Sequence, residues 1–113
     1  MKTSNARLSD VPIRVGIVGC GNVMDGAYMP VLEKLRHKGW VQVTGAAHTS
    51  EAGARAILDK WRIAKYFPSY RELCKSEDVD LVVILTPMKR HGSIAKEALR
   101  HGKHVLVEKP MAV

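Results

Sequence analysis

Cysteine and long apolar runs are both scarce in this chain. Of its 113 residues two are cysteines, Cys20 and Cys74, which lie far apart and outside any CxxC or Cys/His array. The sequence therefore predicts no disulfide framework and no metal site. The longest apolar runs, such as residues 81–85, are far shorter than the roughly 18 residues that a membrane span requires. Residues 1–10 lack an apolar stretch of the signal-peptide type, so we expect no membrane partner and a cytoplasmic location.

Clustered basic residues are also lacking, although the formal net charge is +7. The lysines and arginines are scattered along the whole chain with acids between them and few aromatics beside them, so we expect no nucleic-acid partner. Hydrophobic residues make up 46% of the sequence. A chain of this length and composition can bury a core without a covalent staple. The sequence predicts a flexible leader over residues 1–10 and one domain over residues 11–113.

Apolar runs alternate with helical patterns along this domain. The predicted strands are Ile13–Val18, Val41–Ala47, 66–67, 81–85 and His104–Val107, and the predicted helices are 23–36, 50–61, 70–76 and 93–100. Pro30 should bend the first helix because it removes a backbone hydrogen bond. Helical crossovers of this length join parallel strands with a right-handed connection. The sequence thus predicts an α/β fold, a Rossmann-type doubly wound parallel sheet, which binds its ligand at the carboxyl ends of the strands.

The segment Gly19-Cys20-Gly21-Asn22-Val23-Met24 joins the first predicted strand to the first predicted helix. Gly19 permits a tight turn, Gly21 lets the backbone approach a pyrophosphate, and the helix start at Asn22 and Val23 offers free N–H groups to it. Met24 stands where the dinucleotide fingerprint has its third glycine, so its side chain must point aside or push the helix outward. These residues predict a dinucleotide site, with an ordinary strand-to-helix turn as the alternative.

The second predicted strand is followed by His48, Thr49 and Ser50, where a dinucleotide-binding fold usually carries an acid for the adenosine ribose. Without that carboxylate a 2′-phosphate meets no like charge, and Thr49, Ser50 and Arg55 are available to it. The loop therefore permits NAD or NADP as the cofactor and leans towards NADP. The alternative is that these polar residues only cap the next helix.

The last two loops make a family resemblance specific. Residues 81–87 (LVVILTP) with His91, and residues 102–112 (GKHVLVEKPMA), closely resemble the Gfo/Idh/MocA family of oxidoreductases, the relatives of glucose-fructose oxidoreductase and inositol dehydrogenase. With the GxG of the first loop, three motifs match in order and cover nearly the whole chain. The resemblance implies hydride transfer between NAD or NADP and a sugar, cyclitol or related hydroxylated compound.

The resemblance also implies roles for single residues. Lys109 would reach the nicotinamide and the substrate, where an ammonium can donate a hydrogen bond or assist proton transfer. Thr86, Pro87 and His91 would pass beside the cofactor, although His91 can equally be a local capping or packing residue. Glu108 would orient Lys109 or simply cap the end of the last strand.

Family members continue past the EKP segment into a second α/β domain that carries most substrate contacts, whereas this sequence ends at Val113. We therefore expect the N-terminal cofactor domain of a longer enzyme, inactive alone, that meets its small-molecule substrate through the missing domain. For the full-length form we expect a homo-oligomer. The alternative is a catalytically inert nucleotide-binding or sensing module.

Overall fold

Five parallel strands form one sheet in the order β3-β2-β1-β4-β5. The structure is a computed structural model, and it describes residues 11–19, 24–86 and 88–107. The strands are β1 (Ile13–Val18), β2 (Val41–Ala47), β3 (Lys65–Phe67), β4 (Leu81–Ile84) and β5 (His104–Val107). Because β1 lies between β2 and β4, the chain adds β2 and β3 on one side of β1 and then β4 and β5 on the other side. The predicted doubly wound α/β sheet is confirmed.

Four α-helices cover this sheet in the described part of the chain. They are α1 (Met29–His37), α2 (Glu51–Lys60), α3 (Tyr70–Lys75) and α4 (His91–Arg100). A π-helical segment, Met24–Tyr28, leads into α1, and a 3₁₀ turn, Met88–Arg90, leads into α4. Pro30 lies in the first turn of α1, where its missing N–H would have no helical partner anyway. The bend before Pro30 stays a prediction; the structure shows there a change from π-helix to α-helix at Met29.

The sheet has a separate apolar core on each face. On one face Val15 and Ile17 of β1 pack with residues of α1 and α2, such as Leu32 and Leu58. On the other face Val18 of β1 belongs to the cluster built from α3 and α4, whose members include Leu73, Cys74, Ile94 and Ala98. Both faces are therefore covered, which is why β1 and β4 are almost continuously apolar.

A bulge in β2 decides which of its side chains reach which core. The pairing of β2 with β1 runs through Val43 and resumes at Gly45, so Thr44 is an extra residue. Its hydroxyl donates a hydrogen bond of 2.7 Å to the carbonyl of Asp78. An extra residue reverses the alternation of faces. Val43 and Ala46 consequently pack against the same core, although strict alternation would separate them.

Gly45 of β2 lies against the ring of Phe67 in the neighbouring strand β3. A Cβ atom at this position would be 2.6 Å from Cε2 of the Phe67 ring, whereas a Cβ at Gly92 in α4 would meet no atom within 4 Å. We expect Gly45→Ala to lower the free energy of unfolding by about 1–3 kcal/mol, because the rigid ring must move. Gly92→Ala is the matched control and should leave stability unchanged or raise it by up to about 1 kcal/mol. Urea unfolding measures both, and equal midpoints for the two variants would contradict the close approach.

Arg14 at the start of β1 binds Asp80 just before β4. The Arg14 backbone N–H and Nε donate to Oδ2 of Asp80 at 2.9 and 3.1 Å, and Nη2 donates to Oδ1 at 3.0 Å. The Asp80 backbone N–H donates in return to the Arg14 carbonyl at 2.7 Å. The side-chain hydrogen bond from Arg14 is the main reason why the pKa of Asp80 lies below its ordinary value. The pair thus fixes the amino ends of two neighbouring strands.

The lowered pKa of Asp80 gives stability that depends on pH. This contribution is fully present above the pKa of an unfolded aspartate, about 3.9, and is lost as the pH falls from there through the lower folded value. We expect the difference in urea midpoint between the parent protein and Asp80→Asn to shrink as the pH is lowered from 5 towards 2. Arg14→Gln removes the other half of the pair and should behave alike. A difference that stays constant over this range would refute the linkage.

Candidate functional site

A cavity of about 390 Å³ opens at the carboxyl ends of β1, β2, β3 and β4. Its lining residues are Val18, Gly19, Ala47, His48, Thr49, Pro68, Ser69, Tyr70, Arg71, Leu85, Thr86 and Arg90. Four of the residues predicted to bind the cofactor are among them, namely Gly19, His48, Thr49 and Thr86. This is the crevice that the doubly wound topology predicts, because the loops on either side of β1 leave in opposite directions.

Gly19 lines this cavity directly after β1. Its φ of +103° is a backbone conformation that residues other than glycine rarely adopt. A Cβ here would lie 3.3 Å from backbone atoms of Leu85 and Thr86. The Gly19 N–H donates to the Ala47 carbonyl at 2.9 Å, which ties the loop to the end of β2. The position therefore requires glycine, because of its positive φ and because a side chain would press against the backbone of Leu85 and Thr86.

The hydroxyl of Thr86 is buried, and no group in the described part of the chain forms a hydrogen bond with it. A buried polar atom without a partner costs free energy unless a ligand or water supplies one. The Thr86 carbonyl, by contrast, is engaged by Nε2 of His91 at 2.5 Å. His91 is the first residue of α4 and does not line the cavity. The structure therefore shows a local contact of His91 with the Thr86 backbone and no partner for the Thr86 hydroxyl among the described residues.

The loop after β2 is held by hydrogen bonds among its own residues. The Ser50 N–H donates to Nδ1 of His48 at 3.1 Å, and the hydroxyl of Tyr66 donates to the His48 carbonyl at 2.6 Å. Nδ1 also lies 3.1 Å from the Ser50 carbonyl oxygen, so the backbone of Ser50 holds this side of the ring in either tautomer. The Ser50 hydroxyl accepts from the Gly53 N–H at 3.1 Å and caps α2. The capping alternative is thus correct for the Ser50 hydroxyl, whereas His48 and Thr49 line the cavity.

Met24 opens the π-helical segment and is fully buried in the core beside Ile17 and Met29. The predicted conflict at the third-glycine position is resolved in this way, because the side chain packs inward where the helix has i→i+5 rather than i→i+4 hydrogen bonds. The neighbouring carboxylate of Asp25 accepts from the Trp61 indole N–H at 2.7 Å and lies 3.1 Å from the Lys60 ammonium. The Trp61 hydrogen bond, followed by that from Lys60, lowers the pKa of Asp25. The π-helical segment is thereby fixed to the end of α2.

Several predicted site residues lie outside the described residues. They are Gly21, Asn22, Val23, Pro87, Glu108 and Lys109.

Two arginines of the cavity were not predicted as cofactor-binding residues. Arg71 is the second residue of α3, directly after Tyr70, and its guanidinium lies 4.9 Å from the centre of the Tyr70 ring. Arg90 is the last residue of the 3₁₀ turn before α4. The signal that would have found them is topological, because the loops after β3 and β4 end at the same edge as the glycine loop. Arg55, which was expected to serve a phosphate, instead pairs with Glu51 and Asp59 on α2 and does not line the cavity.

The charge of the described cavity lining suits an anionic ligand. Two arginines and one histidine line it, and none of the described lining residues is a carboxylate. A dinucleotide carries a negatively charged pyrophosphate. Such a ligand suits this basic lining, the glycine directly after β1 and the unpartnered Thr86 hydroxyl. Within residues 11–19, 24–86 and 88–107 no group of three or more His, Cys, Asp or Glu is placed to hold a metal ion. None of the helices in these ranges is long and apolar enough to span a bilayer.

The sheet order and this cavity define a dinucleotide-binding Rossmann domain. The sequence model of the Gfo/Idh/MocA oxidoreductase family, described as an NAD-binding Rossmann fold, matches residues 13–113. The chain belongs to this family, and its cofactor is NAD or NADP.

Individual relatives agree with the family. The chain is 39% identical over 101 residues to a 1-carboxy-3-chloro-3,4-dihydroxycyclohexa-1,5-diene dehydrogenase of Comamonas testosteroni, covering 89% of this chain and 24% of the relative. It is 36% identical over 110 residues to glycosyl hydrolase family 109 protein 1 of Bacteroides fragilis, covering 89% and 23%. A 3-ketoreductase of Actinomadura kijaniata, solved with NADP and TDP-benzene, superposes with a TM-score of 0.79 at 33% identity, covering 88% and 29%. The chain thus spans about a quarter of the length of the curated relatives it matches.

The unpartnered hydroxyl of Thr86 separates ligand binding from folding. Thr86→Val keeps the shape of the side chain, so stability should change by no more than about 1 kcal/mol while the affinity for NADH or NADPH falls roughly tenfold. Thr44→Val is the matched control, because its hydroxyl already donates to Asp78. It should cost about 1 kcal/mol of stability and leave the cofactor affinity as it was. Urea unfolding and nicotinamide fluorescence measure the two effects, and unchanged cofactor affinity in Thr86→Val would exclude the hydroxyl from the site.

Proposed function

We propose that residues 11–113 form the cofactor-binding domain of an oxidoreductase that transfers a hydride between NAD or NADP and a small hydroxylated compound. The observation that carries this proposal is the cavity itself. It joins a left-handed glycine, an unpartnered threonine hydroxyl and a lining without carboxylates at the carboxyl ends of the strands. A phosphate-bearing ligand matches each of these three features.

In this proposal the two halves of the cofactor meet different loops. Gly19, Gly21, Asn22 and Val23 form the loop at the pyrophosphate. Because the N–H of Gly19 donates to the Ala47 carbonyl, the backbone N–H groups of Gly21, Asn22 and Val23 bind the pyrophosphate, which only small or backbone atoms can approach closely. His48 and Thr49 meet the adenosine ribose at the end of β2. Nδ1 of His48 is held by the Ser50 backbone, which leaves Nε2 for the ribose.

The segments after β4 and β5 would serve the nicotinamide end. When bound, the nicotinamide ring supplies the hydride acceptor or donor. The Thr86 hydroxyl would form a hydrogen bond with the cofactor there, Pro87 would set the course of the loop, and His91 would support both by holding the Thr86 carbonyl. Lys109 would donate a hydrogen bond or a proton to the oxygen of the reacting carbon, with Glu108 orienting it.

The names of relatives support a sugar, cyclitol or related hydroxylated substrate. The Comamonas testosteroni relative is named a dehydrogenase of a dihydroxylated ring, and the Actinomadura kijaniata protein is a ketoreductase solved with a nucleotide analogue. A relative named a glycosyl hydrolase also points to carbohydrate, although its name describes hydrolysis rather than net oxidation. A cytoplasmic location and a homo-oligomeric full-length form stay part of this proposal.

The test of the proposed chemistry is Lys109→Ala in the full-length product of the gene. We expect the catalytic rate to fall on the order of 100-fold while cofactor affinity stays within a small factor, because acid–base assistance acts in the transition state. Lys109→Arg should not restore the rate, since a guanidinium is planar and keeps its proton. Lys89→Ala, at an exposed lysine of the 3₁₀ turn, is the control.

Two outcomes would contradict this assignment. A normal rate in Lys109→Ala would make Lys109 an ordinary surface lysine. Tight cofactor binding by the parent protein, with no nicotinamide oxidation or reduction on a panel of sugars and cyclitols, would instead favour the inert nucleotide-binding or sensing module.

A further inference from the structure

The loops after β2 and β3 form one continuous wall of the cavity. Ala47 pairs with Phe67 at the ends of these strands. Beyond this pair the His48 N–H donates to the Phe67 carbonyl at 3.4 Å, and the Tyr66 hydroxyl donates to the His48 carbonyl at 2.6 Å. The two loops therefore leave the sheet side by side and hold each other. Residues just after β3 stand next to the segment that meets the adenosine ribose.

Arg71 lies on this wall, and no described acidic side chain neutralises its positive charge in an ion pair. Its guanidinium lies against the Tyr70 ring, and none of the ion pairs within the described residues involves it. The arginines of α1 and α2 differ in this respect, because Arg36 pairs with Glu33 and Arg55 pairs with Glu51. Arg71 is thus an exposed cation on an aromatic support, at the rim of a cavity whose described lining has no carboxylate.

Arg90, the other arginine of the lining, follows β4, and β1 separates β4 from β2 in the sheet. Arg71 also borders Gly92 and Ser93 of α4 in a second pocket. Of the two arginines, however, only Arg71 follows the strand that pairs with β2, which ends at His48 and Thr49. A phosphate on the adenosine ribose would meet Arg71, whereas Arg90 faces parts that are common to both cofactors.

We propose that Arg71 selects the phosphorylated cofactor by binding the 2′-phosphate of NADP. A guanidinium matches a phosphate monoester in charge and in hydrogen-bond geometry, and the contact with the Tyr70 ring supports the Arg71 side chain. The group that discriminates thus comes from the loop after β3, while the loop after β2 contributes only the absence of a repelling carboxylate. This inference rests on the proposed dinucleotide site and adds the preference between its two possible ligands.

The experiment titrates the chain with NADPH and NADH and follows nicotinamide fluorescence. The parent protein should bind NADPH roughly tenfold or more tightly than NADH, which is the effect of one charge-assisted hydrogen-bonded pair. Arg71→Ala should abolish this ratio by weakening NADPH alone, Arg71→Glu should reverse it, and Arg71→Lys should restore part of it. Adenosine 2′,5′-bisphosphate should displace NADPH from the parent protein better than AMP does. From Arg71→Ala the two nucleotides should displace it equally well.

Arg90→Ala is the matched control, because it removes the same charge from the same cavity at the loop after β4. It should change the affinities for NADPH and NADH by the same factor and leave their ratio intact. A ratio near one in the parent protein, or a ratio that responds to Arg90→Ala and not to Arg71→Ala, would overturn the assignment to Arg71. Failure to bind either cofactor would overturn the proposed site itself, and that result differs from equal binding of both. Urea midpoints close to that of the parent confirm that each variant is folded.

Discussion

The burial of β1 on both faces is the constraint on which the rest of the molecule depends. Val15 and Ile17 are fully buried under α1 and α2, and a Cβ at Gly16 would lie 2.9 Å from Leu73 of α3. A strand covered in this way must lie at the centre of the sheet and must end in a turn that leads the chain out without a bulky side chain. Gly19, with its positive φ, provides that turn. The binding cavity is therefore a consequence of how the core is closed.

Local structure consumes many of the polar groups around the cavity, and this decides which of them are left for a ligand. Ser50 and Ser69 both use their hydroxyls to accept from backbone N–H groups and cap the helices that follow. The His91 ring holds a carbonyl. The lining groups without such a role include the guanidinium groups of Arg71 and Arg90 and the buried hydroxyl of Thr86. Selectivity in such a site depends on a few groups, because most of its polar atoms already have partners within the protein.

The parts of the fold that follow from hydrophobic periodicity could be predicted from the sequence. The bounds of β1, β2 and β5 agree with the structure, and the order of strands and helices gave the sheet topology. The π-helical segment could not be predicted, because apolar spacing does not distinguish i→i+5 from i→i+4 bonding over one turn. The bulge at Thr44 was also missed, since the small residues on its carboxyl side show no clear alternation. In the site, the glycine loop and Thr86 carry motifs, whereas Arg71 follows a three-residue strand and carries none.

The hydrogen bond between Trp61 and Asp25 links tryptophan fluorescence to the segment that follows the glycine loop. The chain has two tryptophans, and the indole of Trp61 is hydrogen-bonded to the segment that follows the glycine loop, whereas Trp40 is 53% exposed at the far end of α1. The two indoles therefore sit in different environments. Replacing Trp40 by phenylalanine leaves Trp61 as the one tryptophan, with its hydrogen bond to Asp25. Its emission then reports on the contact between Trp61 and Asp25 without any label, even for ligands that do not themselves fluoresce.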